Sequence, residues 1–373
     1  MSINIGFDGS RSFVEKPSGT EVYSKQIMVA IASELRQDSM CVFTRGKYDS
    51  VLVNGVKNIQ IKNQRLWTQF GLAVETWRRN LDVLFIPAHV VPFLKRPSLP
   101  VVVTVHDLRT EFLPQHSSLI QKIYLNRITE WFRGHFASHI IAVSESTKKD
   151  IISKLGVPSD KVTVIYEGYD RKIYNFEAQA NTKAVNQVKE KYRCGGDYIL
   201  FVGTVQPRKN LVRLIEAYAQ SEGKKRGIKL VIAGNKGWLA DEIYAKPGQL
   251  GIEGYVQFLN YVDLDDMPFL YAGAKAFVFP SLYEGFGLPI LEALACGTPV
   301  LTSNIASMPE VGGNQAHYVN PCDVDDIRDG INTVIDHKLD QEMLQKHLAK
   351  YSWEKAGQES IEVLRRVANN GKN

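Results

Sequence analysis

Short apolar runs alternate with amphipathic stretches along the whole chain. In the first half INIGFD, CVFT, VLFIP, VVVTVHD, HIIAVS and VTVIYEG read as strands, while 20–37, 117–137 and 145–155 carry helical spacing. A run such as VVVTV is apolar at successive positions, as a strand must be when helices cover both faces of a parallel sheet. After YEGYD, the polar stretch 175–196 has no strand period and ends on the breaker pair Gly195-Gly196, which predicts a linker. YILFVGT, KLVIAGN, VQFLNY, AKAFVFPS, TPVLTSN and AHYVNP then repeat the pattern, again separated by helical segments. The alternation predicts an α/β protein of two Rossmann-like, doubly wound parallel-sheet domains facing a cleft, with ligands at the carboxyl ends of the strands.

Length agrees, because 373 residues exceed a comfortable single core. The expected domains are 1–178 and 179–356, with a C-terminal helix over 357–373 packing back on the first. Hydrophobic content of 44% and charged content of 23% are those of a globular chain. The opening MSINIGFDGS lacks the charged leader and apolar core of a secretory signal, and no run approaches the roughly 18 to 20 apolar residues of a membrane span. The expectation is a cytoplasmic protein whose membrane contact, at the inner face, is peripheral. Cys41, Cys194, Cys296 and Cys322 are scattered without a zinc or redox spacing and are expected as free buried thiols. The net charge of +5 is uneven: residues 1–180 carry 23 Lys and Arg against 17 Asp and Glu, the rest 22 against 23. The basic excess therefore lies in the first half.

Two familiar phosphate-binding signatures are missing: no G-x-G-x-x-G follows the first strand, and no G-x-x-x-x-G-K-[ST] occurs. The informative segment is instead PSLYEGFGLPILEALACGTPV, residues 280–300, in which Glu284 and Glu292 flank a glycine-rich turn and a helix start. Gly285 and Gly287 permit close backbone approach, and a helix beginning near Pro289 turns its N–H groups and positive dipole end toward an anion. Such a turn suits a diphosphate. Glu284 in the loop could accept from sugar hydroxyls, whereas Glu292, inside an apolar helix, needs partners. In FVGTVQPRKN, residues 201–210, a strand ends at Gly203-Thr204 and leads to Arg208, Lys209 and a helix-capping Asn210. The cations suit a diphosphate, Arg by paired bonds and Lys as a point charge.

The first segment resembles the E-x(7)-E signature of the retaining glycosyltransferases of family 4, which have the GT-B fold, and the likeness extends along nearly the whole chain. FVGTVQPRKN matches the same family's G-x-x-x-x-R-K-N pattern. The resemblance implies that Glu284 binds donor-sugar hydroxyls and Glu292 the ribose, with Ser281, Phe286, Gly287 and Leu288 around the sugar and phosphate. It implies that Arg208 and Lys209 replace a metal ion, so neither metal nor cofactor is expected. His106 and Asp107 of VVVTVHDL match the family's H-D pair: His106 would touch the sugar and stabilise positive charge at its anomeric carbon, while Asp107 shapes the turn. In the first loop Ser18-Gly19 stands where adjacent glycines are common, leaving Gly19 for backbone contact. Gly234 and Asn235 of IAGNKGW would wall the nucleotide, and Tyr261 and Val262 would flank its base, with Asn260 where glycine is usual. The implied donor is GDP-mannose or a UDP-hexose, the implied acceptor a saccharide or lipid-linked saccharide, as in bacterial surface-polysaccharide synthesis.

Other features are read as structural. Asp263-Leu264-Asp265 and Asp323-Val324-Asp325 precede helical patterns and are expected to cap them rather than hold a metal. His135 and His139 share a helix face in HFASH but lack the intervening glutamate of a zinc motif. The aromatic and basic stretches RLWTQFGLAVETWRR and IYLNRITEWFRGHF read as core faces with solvated backs, or as an acceptor or membrane contact; no nucleic-acid module is evident. A nucleotide-sugar epimerase or hydrolase of the same fold would share the clamp without an acceptor site. A non-catalytic sugar-nucleotide binding protein would be expected to lose signature residues that are intact here.

Overall fold

The computed structural model describes residues 2–14, 19–46, 56–62, 67–88, 91–108 and 136–371. They form two units, Met1–Gly168 with Tyr351–Asn373, and Tyr169–Lys350. The first crossing lies ten residues before the sequence-expected boundary at 178, and the return lies six before 356.

The first unit is built on a parallel sheet of β1 (Asn4–Asp8), β2 (Ser39–Thr44), β3 (Val56–Gln60), β4 (Val83–Ile86), β5 (Val101–Val105), β6 (His139–Ala142) and β7 (Val162–Val164). Their order is β3-β2-β1-β4-β5-β6-β7. Every residue of β4, β5 and β6 is buried, as strands covered on both faces must be. β3, VKNIQ, pairs with β2 from Met40↔Val56 to Thr44↔Gln60 and has no place among the sequence-read strands. It is an edge strand with one covered side, so its side chains alternate weakly and include Lys, Asn and Gln.

The second unit holds β8 (Tyr198–Val202), β9 (Lys229–Ala233), β10 (Val256–Asn260), β11 (Ala276–Phe279), β12 (Val300–Ser303) and β13 (Ala316–Val319) in the order β10-β9-β8-β11-β12-β13. Both sheets thus reverse direction of growth beside their first strand, and the carboxyl ends there form the binding crevice of a doubly wound sheet.

Local signals set several helices. Ser144 accepts from the Thr147 N–H to cap Glu145–Leu155, which stops at Gly156 in the left-handed conformation. Residues expected as linker instead contain the helices Glu177–Ala180 and Thr182–Lys191, the latter capped by Asn181 and burying Val188. The C-terminal helix Trp353–Asn370 packs on Gly19–Ser33 so closely that a Cβ at Gly357 would lie 2.8 Å from the Ala30 Cβ. An ion pair of 2.8 Å from Arg365 to Asp38 ties the C-terminal helix to the turn before β2.

Three expectations need correction. His139 begins β6 rather than sharing a helix with His135, which lies outside the described residues; its ring meets the Thr163 hydroxyl at 2.8 Å. Asp323 does cap its helix, but Asp263 accepts from Lys191 at 2.8 Å and stands four residues before the helix Met267–Ala272, whose N-cap position is Asp266. Cys194 and Cys296 are buried, Cys41 partly so, and Cys322 is exposed in the turn before its helix. The expected helix over 117–137 lies outside the described residues except at its end. Among the described residues no helix is long and apolar enough to cross a membrane.

Candidate active site

In the second unit the carboxyl ends of three adjacent strands approach at backbone distance. Gly234 follows β9 at φ +152°, and a Cβ there would lie 2.0 Å from the Gly203 carbonyl oxygen, so only glycine fits. Its N–H donates to the Asn260 carbonyl at 2.7 Å. Asn260 takes the left-handed conformation at φ 55°, which asparagine tolerates best after glycine and which explains its presence where glycine is usual. Thr204 and Asn235 are exposed on this rim; Tyr261 is exposed and Val262 buried just beyond it.

After β8 the turn Pro207–Lys209 delivers two cations to one carboxylate. Lys209 Nζ donates to Glu284 Oε1 at 2.6 Å, and Arg208 Nη1 donates to Glu284 Oε2 at 2.7 Å and to the Tyr283 carbonyl. Leu282 N–H donates to the Arg208 carbonyl at 2.9 Å, stitching the two loops. Lys209 also lies 4.7 Å from the centre of the Phe279 ring. Glu284 and Lys209 are each only 8% exposed. Burial pushes the Glu284 carboxyl up, but Lys209 and then Arg208 overcome it and hold the group down at about 2. Two cations and one carboxylate thus meet at a closely packed centre.

Asn210 is not the side-chain cap that its position predicts. It sits at the start of Leu211–Ala219 with φ 60°, and its side chain caps no backbone N–H of that helix, its Oδ1 accepting instead from the Arg213 side chain at 3.0 Å. Its amide instead donates to the carbonyls of Pro280 at 3.0 Å and Pro321 at 2.6 Å. Proline offers no N–H but a carbonyl in need of a partner, and buried Asn210 supplies two donors. It thereby fixes the loop after β11 to the loop after β13.

Glu284 is followed by the expected glycine-rich turn. Gly287 has φ 111° and precedes the helix Leu288–Ala295, which carries proline in its first turn. Buried Ser307 donates to the carbonyls of Glu284, at 2.9 Å, and Phe286, at 2.7 Å, so the turn is held from below. The Ser281 hydroxyl is buried without a partner among the described residues. Glu292 has the partners it requires: the Tyr271 hydroxyl donates to Oε2 at 2.9 Å, and Tyr174 also donates. Burial raises its carboxyl to about 7, the two tyrosines opposing the shift only in part.

The first unit gathers a separate cluster at the ends of β4, β5 and β7. His106 Nε2 lies 2.9 Å from the Pro87 carbonyl and Nδ1 3.2 Å from Glu167 Oε1. The Tyr23 ring meets the imidazole edge-on at 4.5 Å between centres, and its hydroxyl bonds Thr104 at 3.1 Å. The Thr147 hydroxyl donates to the His106 carbonyl at 3.3 Å. Gly19 begins the helix that carries Tyr23, with open space where a Cβ would stand.

Arg208, Lys209 and Glu284 thus share one centre, with Gly203, Gly234 and the Gly285–Leu288 turn in the same unit; His106 and Gly19 belong to the other. Glu167, Tyr23, Tyr271, Tyr174 and Ser307 escaped the sequence reading. Glu167 alone had a signal: like His106, it is polar and directly follows a strand-like apolar run.

Residues 30–172 match the profile of Glycosyltransferase Family 4, and residues 182–352 that of Glycosyl transferases group 1. The chain is 33% identical over 228 residues to O-antigen chain mannosyltransferase B of Escherichia coli, covering 61% of this chain and 58% of the relative. It is 31% identical over 303 residues to the serotype-specific mannosyltransferase WbdA of Escherichia coli, covering 77% of this chain but 35% of that longer one. The match therefore spans less than two thirds of either relative. Among solved structures, Anabaena Alr3699/HepE in complex with UDP and glucose superposes with a TM-score of 0.72 at 19% identity, covering 98% of this chain and all of that one. This likeness establishes the fold, the two-sheet GT-B architecture. With the two family profiles running consecutively over most of its length, the chain belongs to the glycosyltransferases of family 4 and group 1.

Proposed function

We propose that the protein transfers a hexose, mannose in the first instance, from a nucleoside diphosphate sugar to a saccharide or lipid-linked saccharide, without a metal and with retention of anomeric configuration. The observation that carries this reading is the closely packed Arg208–Lys209–Glu284 cluster beside a helix N-terminus. A diphosphate is a ligand that an Arg and a Lys together suit, the Arg by paired bonds and the Lys as a point charge. The two named Escherichia coli relatives, both mannosyltransferases, favour mannose.

In the reaction, the bond from the anomeric carbon to the β-phosphate oxygen breaks and its electron pair leaves with the diphosphate. Arg208 and Lys209 stabilise that charge as it grows, which lowers the barrier rather than merely tightening binding. Glu284 holds both cations in position and accepts from donor-sugar hydroxyls. The acceptor oxygen attacks from the same face, and its proton passes to the departing phosphate oxygen, so no protein nucleophile is needed. The family resemblance gives His106 a role toward the sugar and the first unit the acceptor.

The test is a mass-spectrometric screen of purified protein against GDP-mannose, UDP-hexoses and other nucleotide sugars, with donor hydrolysis and transfer as readouts. Turnover of GDP-mannose that is lost in Lys209→Ala supports the reading. Activity on no nucleotide sugar, or an isomerised donor as sole product, rejects it.

A further inference from the structure

The start of the C-terminal helix Trp353–Asn370 reaches the His106 cluster by two routes. Trp353, its first residue, is buried, and its indole meets the Tyr23 ring edge-on with 5.8 Å between centres. The same Tyr23 ring meets the His106 imidazole edge-on at 4.5 Å. Tyr23 is only 1% exposed and its hydroxyl bonds Thr104, so the ring has no room to swing away. Trp353, Tyr23 and His106 therefore form one continuous contact, in the edge-to-face arrangement that aromatic rings prefer.

The second route runs through Glu167, whose Oε1 lies 3.2 Å from His106 Nδ1. Both neighbours of Glu167 pack on the start of the same helix. The Tyr166 ring lies 5.7 Å from that of Tyr351, and a Cβ at Gly168 would stand 2.3 Å from the Trp353 nitrogen and 2.8 Å from its Cγ. Only glycine at 168 permits so close an approach. Burial, and to a lesser extent the charge of Glu167, pushes the Tyr23 phenol up, so the two groups that grip the imidazole also sense each other.

Trp353 thus supports both residues that bear on the imidazole, while the ring's own hydrogen bonds go to Glu167 and Pro87. A close-packed interior passes a displacement on rather than absorbing it. Loss of the indole would free Tyr23 on one side and the Glu167-Gly168 segment on the other, and the imidazole would lose its fixed orientation. The rest of the helix offers an internal comparison. Leu364 is fully buried on it but stands eleven residues, about 16 Å, further along.

We propose that Trp353 is a positioning residue for His106, fixing the imidazole through Tyr23 and through the Glu167-Gly168 segment, so that the C-terminal helix is part of the first unit's site as well as of its core. The effect on turnover rests on the glycosyltransferase reading, whereas ring orientation is measured without donor or acceptor. The experiment is nitrogen NMR of the ligand-free full chain carrying labelled histidine, the His106 signals being assigned by their loss in His106→Gln, together with steady-state kinetics. Trp353→Leu is expected to move the His106 ring signals and to lower kcat about tenfold with the donor KM within about twofold, as displacement of a positioned group does. Trp353→Phe keeps a ring against Tyr23 and should bring kcat back to within about threefold of wild type, with the ring signals returning toward theirs. Leu364→Ala should lower the unfolding temperature through the cavity it leaves, with His106 signals and kcat unchanged. Circular dichroism reports folding; if Trp353→Leu does not fold, Tyr23→Leu carries the test, because removing the intervening ring must move the same signals. Unmoved His106 signals in folded Trp353→Leu or in Tyr23→Leu, or equal movement in Leu364→Ala, overturn the proposal. Moved signals in a protein that turns over no nucleotide sugar uphold the positioning and reject the glycosyltransferase reading instead.

Discussion

Glu167 Oε1 lies 3.2 Å from His106 Nδ1, on the opposite side of the ring from the Pro87 carbonyl, 2.9 Å from Nε2. A carbonyl can only accept, so Nε2 carries a hydrogen. The contact to Glu167 then needs a proton of its own, on Nδ1 or on the carboxyl group. His106 is thereby clamped at both nitrogens in one orientation.

Glu167→Gln keeps the shape but removes the charge. We expect turnover to fall roughly ten- to a hundredfold with a smaller change in KM, by analogy with loss of the group that orients a functional histidine. Nitrogen NMR of the labelled ring should show a changed proton pattern at Nδ1. Unaltered ring signals with unaltered turnover would remove Glu167 from the site.

Lys209→Ala and Arg208→Ala should each lower kcat/KM by about 2 to 4 kcal/mol of transition-state stabilisation, as for removal of an oxyanion donor. Lys209→Ala should also destabilise the fold, because it exposes buried Glu284 to a weakened cation set. Steady-state kinetics with thermal unfolding separates the two effects; kcat within twofold of wild type for both variants is incompatible with the proposed role.

The two signature glutamates should give opposite pH signatures. Glu284 is held down at about 2 against an ordinary 4.5, so its contribution is present above pH 4.5 and lost as pH falls toward 2. Glu292 is raised to about 7, so the folded state is favoured below pH 4.5 and loses stability as pH climbs from 4.5 to 7. Each window is of order 3 kcal/mol. Denaturant unfolding of the ligand-free protein from pH 3 to 8 should lose its acid limb in Glu284→Gln and its neutral limb in Glu292→Gln. Identical profiles in the two variants would contradict the different environments.

Activity should survive excess EDTA if, as proposed, Arg208 and Lys209 supply the charge a magnesium ion would bring to the diphosphate. A strict requirement for added magnesium, measured as restored turnover, would reassign the phosphate site.

The product should keep the donor's anomeric configuration. Inversion needs a base opposite the leaving group, whereas the proposed mechanism gives Arg208, Lys209 and Glu284 to the donor's diphosphate and sugar. Proton NMR of fresh product reports the anomeric coupling, and a β-linked product from an α-linked donor would refute the mechanism.

The sequence by itself determined the fold class, because buried parallel strands are continuous apolar runs and their spacing is local: VVVTV and AFVF are buried at every residue. It also determined the Gly287 turn and the helix after it, whose glycine and proline carry their conformational meaning alone. The edge strand VKNIQ stayed hidden, since a half-covered strand need not be apolar. Partnership was decided only by tertiary structure. Asn210 looked like a cap and became a brace between Pro280 and Pro321, while Glu292 found Tyr271 across the fold. Glu167 met His106 from 61 residues away. A side chain's identity limits which bonds it can make, but only the folded backbone brings distant donors and acceptors within 3 Å, and the cost of burying them unpaired then selects among the pairings.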